Sequence, residues 1–201
     1  MSRLSLTKAS LTRQKGLLRT YRDVLPSLDL KRRQLSAERD AAHRALQQAR
    51  EKTAAIEAEI GRVCPMLAYE NIDLHGLVTV GGVKLAEENL MGTRLPRVEQ
   101  VDIQVQDYGL LSRPFWVDRV VAFLQQALRN QIDLQVAERR LALLQEAERT
   151  VTQRFNLFDK VLIPRTRSHI RRIAIYLSDT ERAAVVNSKI AKRKRERAVS
   201  R

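Results

Sequence analysis

The chain contains 201 residues and carries a net charge of +14; 30% of its residues are charged and only 4% are aromatic. So few large side chains cannot fill a thick globular core, and the balance is typical of long helices that pack on one another. The single Cys64 excludes an internal disulfide and is expected to be a small buried side chain in a reducing compartment. We recognise neither a secretory signal nor an apolar run near the roughly 20 residues of a membrane span.

The basic charge is concentrated at the two ends of the chain. Residues 1–60 hold 13 basic and 7 acidic groups, residues 61–114 hold 5 and 7, and residues 115–201 hold 19 and 9. Such a protein should attract nucleic acid, anionic lipid or an acidic protein surface, and charge alone does not choose among them.

Helix-breaking residues are concentrated in the middle of the chain. Six of the seven glycines and three of the five prolines lie between residues 61 and 114. Since glycine costs a helix interior about 1 kcal/mol and proline about 3 kcal/mol, this distribution predicts two long helical arms joined by a turn-rich insert. We divide the chain into an N-terminal arm (1–62), an insert (63–114), a C-terminal arm (115–180) and a basic tail (181–201).

The N-terminal arm carries two seven-residue series of mainly apolar residues that together predict a coiled-coil seam. The first series is Leu4, Leu11, Leu18 and Leu25, and the second is Tyr21, Leu28, Leu35, Ala42, Ala49, Ile56 and Val63. Arg32 and Arg39 occupy later positions of the first series and make the seam imperfect. The small Ala42 and Ala49 would let a partner helix approach closely. Pro26 predicts a kink or short break near Val24–Pro26, after which the helix resumes.

The insert predicts a small β element. Leu77–Val80 and Val83–Leu85 flank Gly81–Gly82, which suggests a two-residue hairpin turn. A further extended piece, Val98 to Val105, alternates apolar and polar residues. We therefore expect a patch of two or three strands that caps the helical pair.

The C-terminal arm follows Pro114 and has no glycine. Its apolar residues keep helical spacing: Leu134, Leu141, Leu144, Val151, Phe155, Phe158, Leu162, Ile170, Ile173 and Leu177. Pro164 predicts a bend followed by a resumed helix.

Two single helices with one apolar stripe each are not stable alone in water, so we expect the arms to pair antiparallel. The sequence thus predicts a mainly α fold, a long antiparallel two-helix coiled coil with a small β-hairpin insert. In this pairing the residue numbers of partners add to roughly 175–180, which puts Leu18 near Val161 and Leu11 near Ser168.

The chain from Ser178 onward is then left without an internal partner. It is either a frayed basic tail or, through the apolar patch of Val185, Val186 and Ile190, partly a helix that awaits another subunit.

Motifs of catalysis and of cofactor binding are missing from the sequence. Gly76 and Gly81 have the first spacing of a phosphate-binding loop, but Gly82–Val83 stand where that loop needs Lys and Ser/Thr. His43, His75 and His169 are scattered, and helical surface or seam positions explain the first and last better than metal ligation. We predict no catalytic residue, no cofactor and no metal site, and therefore no enzyme activity of the chain alone.

Three groups of motifs resemble one known family. The segment GLLRTYRDVL at residues 16–25 resembles the G-x-L-L-K-x-K-R-D-x-L stretch of the D subunit of V-type and A-type rotary ATPases and ATP synthases. LMGTRLP at 90–96 resembles the family's N-x-x-G-x-x-x-P segment. TQRFN at 152–156, Ile163–Pro164 and Glu181–Arg182 resemble its carboxy-terminal pattern. The order and spacing agree over nearly the whole chain.

The resemblance implies a central rotor shaft, without catalytic activity of its own, that couples proton or sodium translocation to ATP synthesis or hydrolysis. The helical pair would enter the hexamer of nucleotide-binding A and B subunits. The insert end would bind the small F subunit and seat in the funnel-shaped subunit above the membrane ring. The chain would then lie on the cytoplasmic face of a membrane, attached only through the complex, without direct nucleic-acid contact.

We expect the recognisable arm segments and the basic tail to contact the hexamer. These residues are Gly16, Leu17, Leu18, Arg22, Asp23, Leu25, Arg154, Asn156, Ile163, Pro164, Lys189, Lys192, Arg193, Lys194 and Arg195. We expect the insert to meet its partners through Met91, Gly92 and Pro96.

Two interpretations of other classes remain open. One is a basic coiled-coil protein that binds nucleic acid, which would need a basic stripe with aromatic residues or a recognised module. The other is a scaffolding coiled coil of the cytoskeleton or of a secretion apparatus, which would form long parallel dimers.

Overall fold

The computed structural model describes residues 4–65, 76–107 and 116–199. In chain order its elements are helix α1 (Lys8–Val63), strands β1 (Val78–Leu90) and β2 (Thr93–Val105), helix α2 (Val117–Asn156), a π-helical segment (Leu157–Leu162) and helix α3 (Ile163–Val199). The prediction of a mainly helical chain with a small hairpin in the middle is confirmed.

The chain forms two compact units. The first combines the beginning of α1, up to Lys31, with the chain from Val151 onward. The second comprises Arg32–Thr150 and contains the rest of α1, the hairpin and most of α2.

Helix α1 begins after Thr7, whose hydroxyl accepts a hydrogen bond from the Ser10 N–H at 3.2 Å and so caps the first turn. The short break expected as one possibility at Pro26 is wrong, because α1 continues through this residue to Val63, and the kink stays a prediction. Residues of the apolar stripe are half-buried on both sides of Pro26, at Leu25 and Leu28. Their packing offsets the loss of one backbone donor.

The two apolar series of α1 are confirmed as its packing face. Every member of both series from Leu4 to Val63 is buried or half-buried within its unit, including Arg32 and Arg39. Leu35 is completely enclosed, at 0% exposure. A helix that buries one stripe of this period needs a second helix along it.

In the second unit the partner of α1 is α2, and the two helices run antiparallel. Arg39 pairs with Glu148, and Arg50 pairs with Glu138. Both partners lie about ten residues later than predicted. At the start of α2, the first turns pack against Cys64 at the end of α1 and Leu77 of the insert.

That packing forms a compact apolar core at the end of α1. Its buried members are Cys64, Leu77, Trp116, Val117, Val120 and Val121. The core joins the end of α1, the base of the hairpin and the first turns of α2. Cys64 is 3% exposed, so the expected burial of this side chain is confirmed.

In the first unit, α1 packs on the π segment and α3. The ring of Tyr21 meets that of Phe158, as the predicted pairing requires. Lys8 Nζ, however, lies 3.9 Å from Glu181 Oε1, about ten residues beyond its predicted partner. The π segment, which contains Phe158, accounts for about one residue of this excess, because a π turn holds more residues than an α turn.

The tail is helical rather than frayed, since α3 continues to Val199. The expectation that no internal partner exists beyond Ser178 is wrong at Glu181, which pairs with Lys8. Every described side chain from Asp179 to Glu196 is nevertheless exposed.

The hairpin differs from the predicted one in the position of its turn. Gly81–Gly82 lie inside β1, where Val80 pairs with Ile103 and Gly82 with Asp102, so Gly81 is the extra residue of a β-bulge. A Cβ on Gly81 would lie 2.6 Å from the end of the flexible Gln104 side chain, which would have to move aside.

The chain actually reverses at Met91–Gly92, between the paired Leu90 and Thr93. Both turn residues have positive φ, 51° and 83°, as a type I′ hairpin turn requires. The Asn89 Oδ1 accepts a hydrogen bond from the Gly92 N–H at 2.9 Å and holds the turn.

The strand register places eight aliphatic side chains on one face of the hairpin, which we call the aliphatic face. They are Val78, Val80, Val83, Leu85, Val98, Val101, Ile103 and Val105. None is buried, and Leu85 is 52% exposed. On the opposite face, Leu95 is 1% exposed. Near the turn the hairpin therefore packs through its other face, whereas at its base Val78 of the aliphatic face packs against the core around Cys64 and Trp116.

Leu35→Ala should lower the free energy of unfolding by about 2–5 kcal/mol, because it leaves a cavity at a fully enclosed site. Leu30→Ala is the matched control on the same helix, since Leu30 is 59% exposed, and it should cost about 0.5 kcal/mol or less. Urea unfolding followed by circular dichroism measures both. Similar losses for the two variants would contradict the assignment of the seam.

Candidate functional site

A charged cluster lies within the seam of the second unit. Arg39 Nη1 donates to Glu148 Oε2 at 2.7 Å, and Arg39 Nη2 donates to Asp40 Oδ1 at 2.8 Å and to Ser36 Oγ at 3.3 Å. The Arg39 side chain is 34% exposed and that of Glu148 only 18%. Hydrogen bonding to Asp40, and secondarily the Glu148 carboxylate, raises the pKa of Arg39 above its usual value, so the cluster keeps its cation at every accessible pH.

This cluster lies at seam positions whose neighbours Leu35, Leu144 and Val151 are buried and apolar. A single polar pair at seam positions stabilises one helix register over others, because any shift leaves a charge buried without its partner. From the sequence, Arg39 was interpreted as an imperfection of the seam, and Glu148 was not predicted at all. The available signal was that Glu148 occupies the seven-residue series of Leu141 and Phe155.

Two other ion pairs that cross between the arms are exposed. Arg50 Nη2 lies 3.1 Å from Glu138 Oε1, with side chains 61% and 49% exposed, and the Lys8–Glu181 pair is more exposed still. Pairs of this kind contribute about 0–1 kcal/mol. They mark which residues face each other and add little stability.

An aromatic contact joins the arms in the first unit. The rings of Tyr21 and Phe158 meet edge to face, with centroids 5.4 Å apart and an angle of 87° between planes. Such pairs add about 0.5–1.5 kcal/mol beyond the area they bury. The contact adjoins the predicted site residues Arg22 and Asp23, which are both exposed.

The residues predicted to contact a hexamer divide into two groups. Some belong to the packing face of the arms and have little surface left for a partner: Leu17, Leu18, Leu25, Asn156 and Ile163. The others are exposed: Gly16, Arg22, Asp23, Arg154, Pro164, Lys189, Lys192, Arg193, Lys194 and Arg195. Of the two groups, the second is the one available for contact with another protein.

Arg140 attaches the hairpin to α2, and it was not predicted from the sequence. Its Nη1 and Nη2 atoms both donate to Glu88 Oε2 at 3.1 Å, and Nη1 also donates to the Pro96 carbonyl at 3.1 Å. Of the predicted insert residues, Met91 and Gly92 form the turn, and Pro96 supplies this carbonyl. No sequence pattern links an arginine on a helix to a carbonyl of a distant strand.

A groove of about 260 Å³ lies between α1 and α2 in the second unit. Its lining residues are mostly small or polar: Ala45, Gln48, Ala49, Lys52, Asn130, Asp133 and Ala137. The expected close approach at Ala49 is thus accompanied by free space beside the helices.

Among the described residues, no group of three or more His, Cys, Asp or Glu side chains is placed to hold a metal ion. No helix in the same residues is both long and apolar enough to cross a bilayer. The candidate contact surfaces are the exposed arm residues, the tail and the aliphatic face of the hairpin.

Comparison with known proteins gives consistent results. A family model described as the ATP synthase D subunit matches residues 10–193. The V-type ATP synthase D subunit of Borreliella burgdorferi is 30% identical over 192 residues, which cover 96% of this chain and 95% of the relative. The proteins of the same name from Chlamydia muridarum and Chlamydia trachomatis are each 34% identical over 198 residues, covering 96% of both chains.

Glu148→Gln should lower the free energy of unfolding by about 1–3 kcal/mol, because it leaves the half-buried guanidinium of Arg39 without its seam carboxylate. Glu138→Gln removes the same charge from the exposed pair and should cost at most about 1 kcal/mol. Urea unfolding of both variants makes the comparison. Equal effects would show that position in the seam does not matter.

Arg140→Ala should release the turn half of the hairpin. Amide hydrogen exchange of β1 and β2 should speed up while exchange in α1 and α2 stays unchanged, because local opening follows the loss of local contacts. Arg94→Ala is the control, since its 3.6 Å pair with Glu87 is exposed on both sides. If the hairpin amides keep their protection in Arg140→Ala, the anchoring role is wrong.

Proposed function

The chain belongs to the ATP synthase D subunit family, and on that premise we propose that it is the central rotor shaft of a V/A-type rotary ATP synthase or ATPase. In this role it couples ion translocation through a membrane ring, of protons or of sodium, to ATP synthesis or hydrolysis in a catalytic hexamer. The chain itself is not catalytic. It is a peripheral subunit on the cytoplasmic face of the membrane.

The observation that carries the proposal is the antiparallel packing of the arms within each unit. A shaft must resist twisting and sliding, and two interlocked helices resist both better than one helix does. The Arg39–Glu148 pair opposes sliding of α1 along α2, because a shift would separate two half-buried charges. Leu35 and Leu144, at 0% and 1% exposure, show how tightly the seam is packed.

We assign contact with the A and B subunits of the hexamer to the exposed arm residues and the tail. Arg22, Asp23, Arg154 and Pro164 lie in the first unit, which also contains the whole tail. The tail side chains Lys189–Arg195 are exposed and mainly basic, so they suit acidic or carbonyl-rich loops of the hexamer.

We assign the other partners to the insert. The aliphatic face of the hairpin supports an interface with the small F subunit, because a two-stranded hairpin with an exposed apolar face is seldom stable in isolation. Its turn, Met91–Gly92, would lie toward the funnel-shaped subunit that connects to the membrane ring. The insert at 63–114 would thus bind partners of the stalk, and the arms at 1–62 and 115–180 with the tail at 181–201 would serve the hexamer.

Co-purification tests the proposed function. The chain, tagged in its native cell, should bring down a nucleotide-binding hexamer and a small α/β subunit in fixed ratio, and these should survive a wash at moderate salt. If nucleic acid is retained in their place, with an affinity that falls steeply as salt rises, the proposal is wrong and the nucleic-acid interpretation replaces it.

Truncation after Ala191 tests the part assigned to the tail. The complex should still assemble through the arms and hairpin, but ATP-driven rotation should slow or stop because the basic end of α3 is missing. The matched control is Lys192→Gln, which changes one exposed charge and keeps the helix. Unchanged rotation in the truncated chain would show that the tail is dispensable.

A further inference from the structure

The buried stripe of the second arm changes phase by one residue at the π segment. Before it, a stripe of buried and half-buried positions runs in steps of three and four: Leu141, Leu144, Glu148, Val151, Phe155 and Phe158. After it, a stripe with the same alternation runs one position later: Ile163, Thr166, Ile170, Ile173 and Leu177. Leu162, four residues after Phe158, is half-buried, and the buried Ile163 follows it.

The π segment absorbs this extra residue. The Ile163 N–H donates to the Phe158 carbonyl, the i to i−5 bond that defines a π turn. Pro164 favours the wider turn, because in an α-helix its ring would clash with the carbonyl four residues earlier. The seam thus continues on α3, where Ile173 is 0% exposed, although the sequence has gained one residue.

The earlier phase reappears farther along α3, on a different face. Counting on from Phe158 in steps of four and three first reaches Leu162 and then mainly polar residues. Four of the positions reached are apolar or small: Tyr176, Ala183, Val186 and Ile190. We call these four the outer stripe. One residue turns an α-helix by about 100°, so the outer stripe lies about that far around α3 from the seam. Tyr176, Val186 and Ile190 are accordingly 49%, 54% and 48% exposed.

The outer stripe has basic surroundings. Residues three or four positions away from its members, which are neighbours on a helix surface, include Arg172, Arg182, Lys189, Arg193 and Lys194. Asp179 is the acidic residue at this spacing, and it lies 3.9 Å from Arg182. If a second copy of this chain docked on the outer stripe through its own outer stripe, basic side chains would face basic side chains and repel each other. An acidic protein surface would place opposite charges next to these basic side chains and attract them.

We propose that the outer stripe is a docking face for an acidic protein surface that contains an apolar groove. The π segment makes this possible, because it lets α3 present one stripe to α1 and a second stripe to another subunit. The inference rests on the proposed function, in which the catalytic hexamer supplies the groove.

A protein partner suits the outer stripe better than a lipid surface does. Helices that lie on membranes carry broad apolar faces with Trp, Phe and Leu. The outer stripe is narrow, contains an alanine, and has Tyr176 as its one aromatic residue. A stripe this narrow fits a groove between the side chains of a partner protein. Its basic neighbours would pair with acidic groups at the rim of that groove.

The test compares two double variants of the full chain that add the same charge. Val186→Lys/Ile190→Lys replaces the outer stripe, and Ala184→Lys/Ala191→Lys adds two lysines on exposed positions of another face. The probe is the nucleotide-binding hexamer, purified from the same cells without this subunit. We expect the first variant to bind about tenfold more weakly or worse, because it loses two aliphatic contacts. The control should bind at least as tightly as the unchanged chain.

The outcomes separate this inference from the proposed function. If the unchanged chain does not bind the hexamer, both fail. If it binds and the two variants behave alike, the docking face is wrong and the shaft assignment stands. If the outer-stripe variant keeps its hexamer affinity but loses binding to vesicles of mixed anionic and neutral phospholipid, the face serves a membrane and the inference is overturned. Equal helical content of all three chains by circular dichroism shows that folding is intact.

Discussion

The architecture depends on one constraint: each arm must bury its apolar stripe against a helix from the other end of the chain. Arg39 and Glu148, which meet across the seam, are 109 positions apart in the sequence. Because such a seam is apolar and repetitive, packing alone would tolerate several offsets. The pair Arg39–Glu148 removes this freedom, since its charges are satisfied in one register. The register of α1 on α2 in the second unit is thus tied to this pair.

Much of this was predictable because heptad periodicity is a strong signal. Both series of α1 were identified correctly to Val63, and the alternation of β2 correctly indicated its aliphatic side. The position of the hairpin turn was not identified correctly, because a glycine pair is typical both of a turn and of a bulge. Gly81 is the extra residue of a bulge, whereas the turn uses Gly92 and the Asn89 side chain. Local sequence does not distinguish these two roles of glycine.

The candidate site, like the fold, was predicted from the sequence only in part. The basic residues of the tail were expected to contact another protein because of their charge, and their side chains are exposed. Arg140 was missed because its partners come from both strands of the hairpin, and only the folded chain brings them together. The π segment was missed because Leu162, four residues after Phe158, continues the apolar spacing in the sequence. Pro164 was interpreted as a bend followed by a resumed helix, and it lies directly after a wider turn of a helix that continues.

The small core around Cys64 and Trp116 also bears on the order in which contacts form during folding. Residues 64 and 116 are separated by a shorter stretch of chain than the partners of the ion pairs along the seam, so closing this loop costs less entropy than closing those. Nucleation there would leave Arg50 and Glu138 close enough to pair next, and Arg39 with Glu148 after them. In this order, each contact that forms shortens the loop of chain that must close before the next contact.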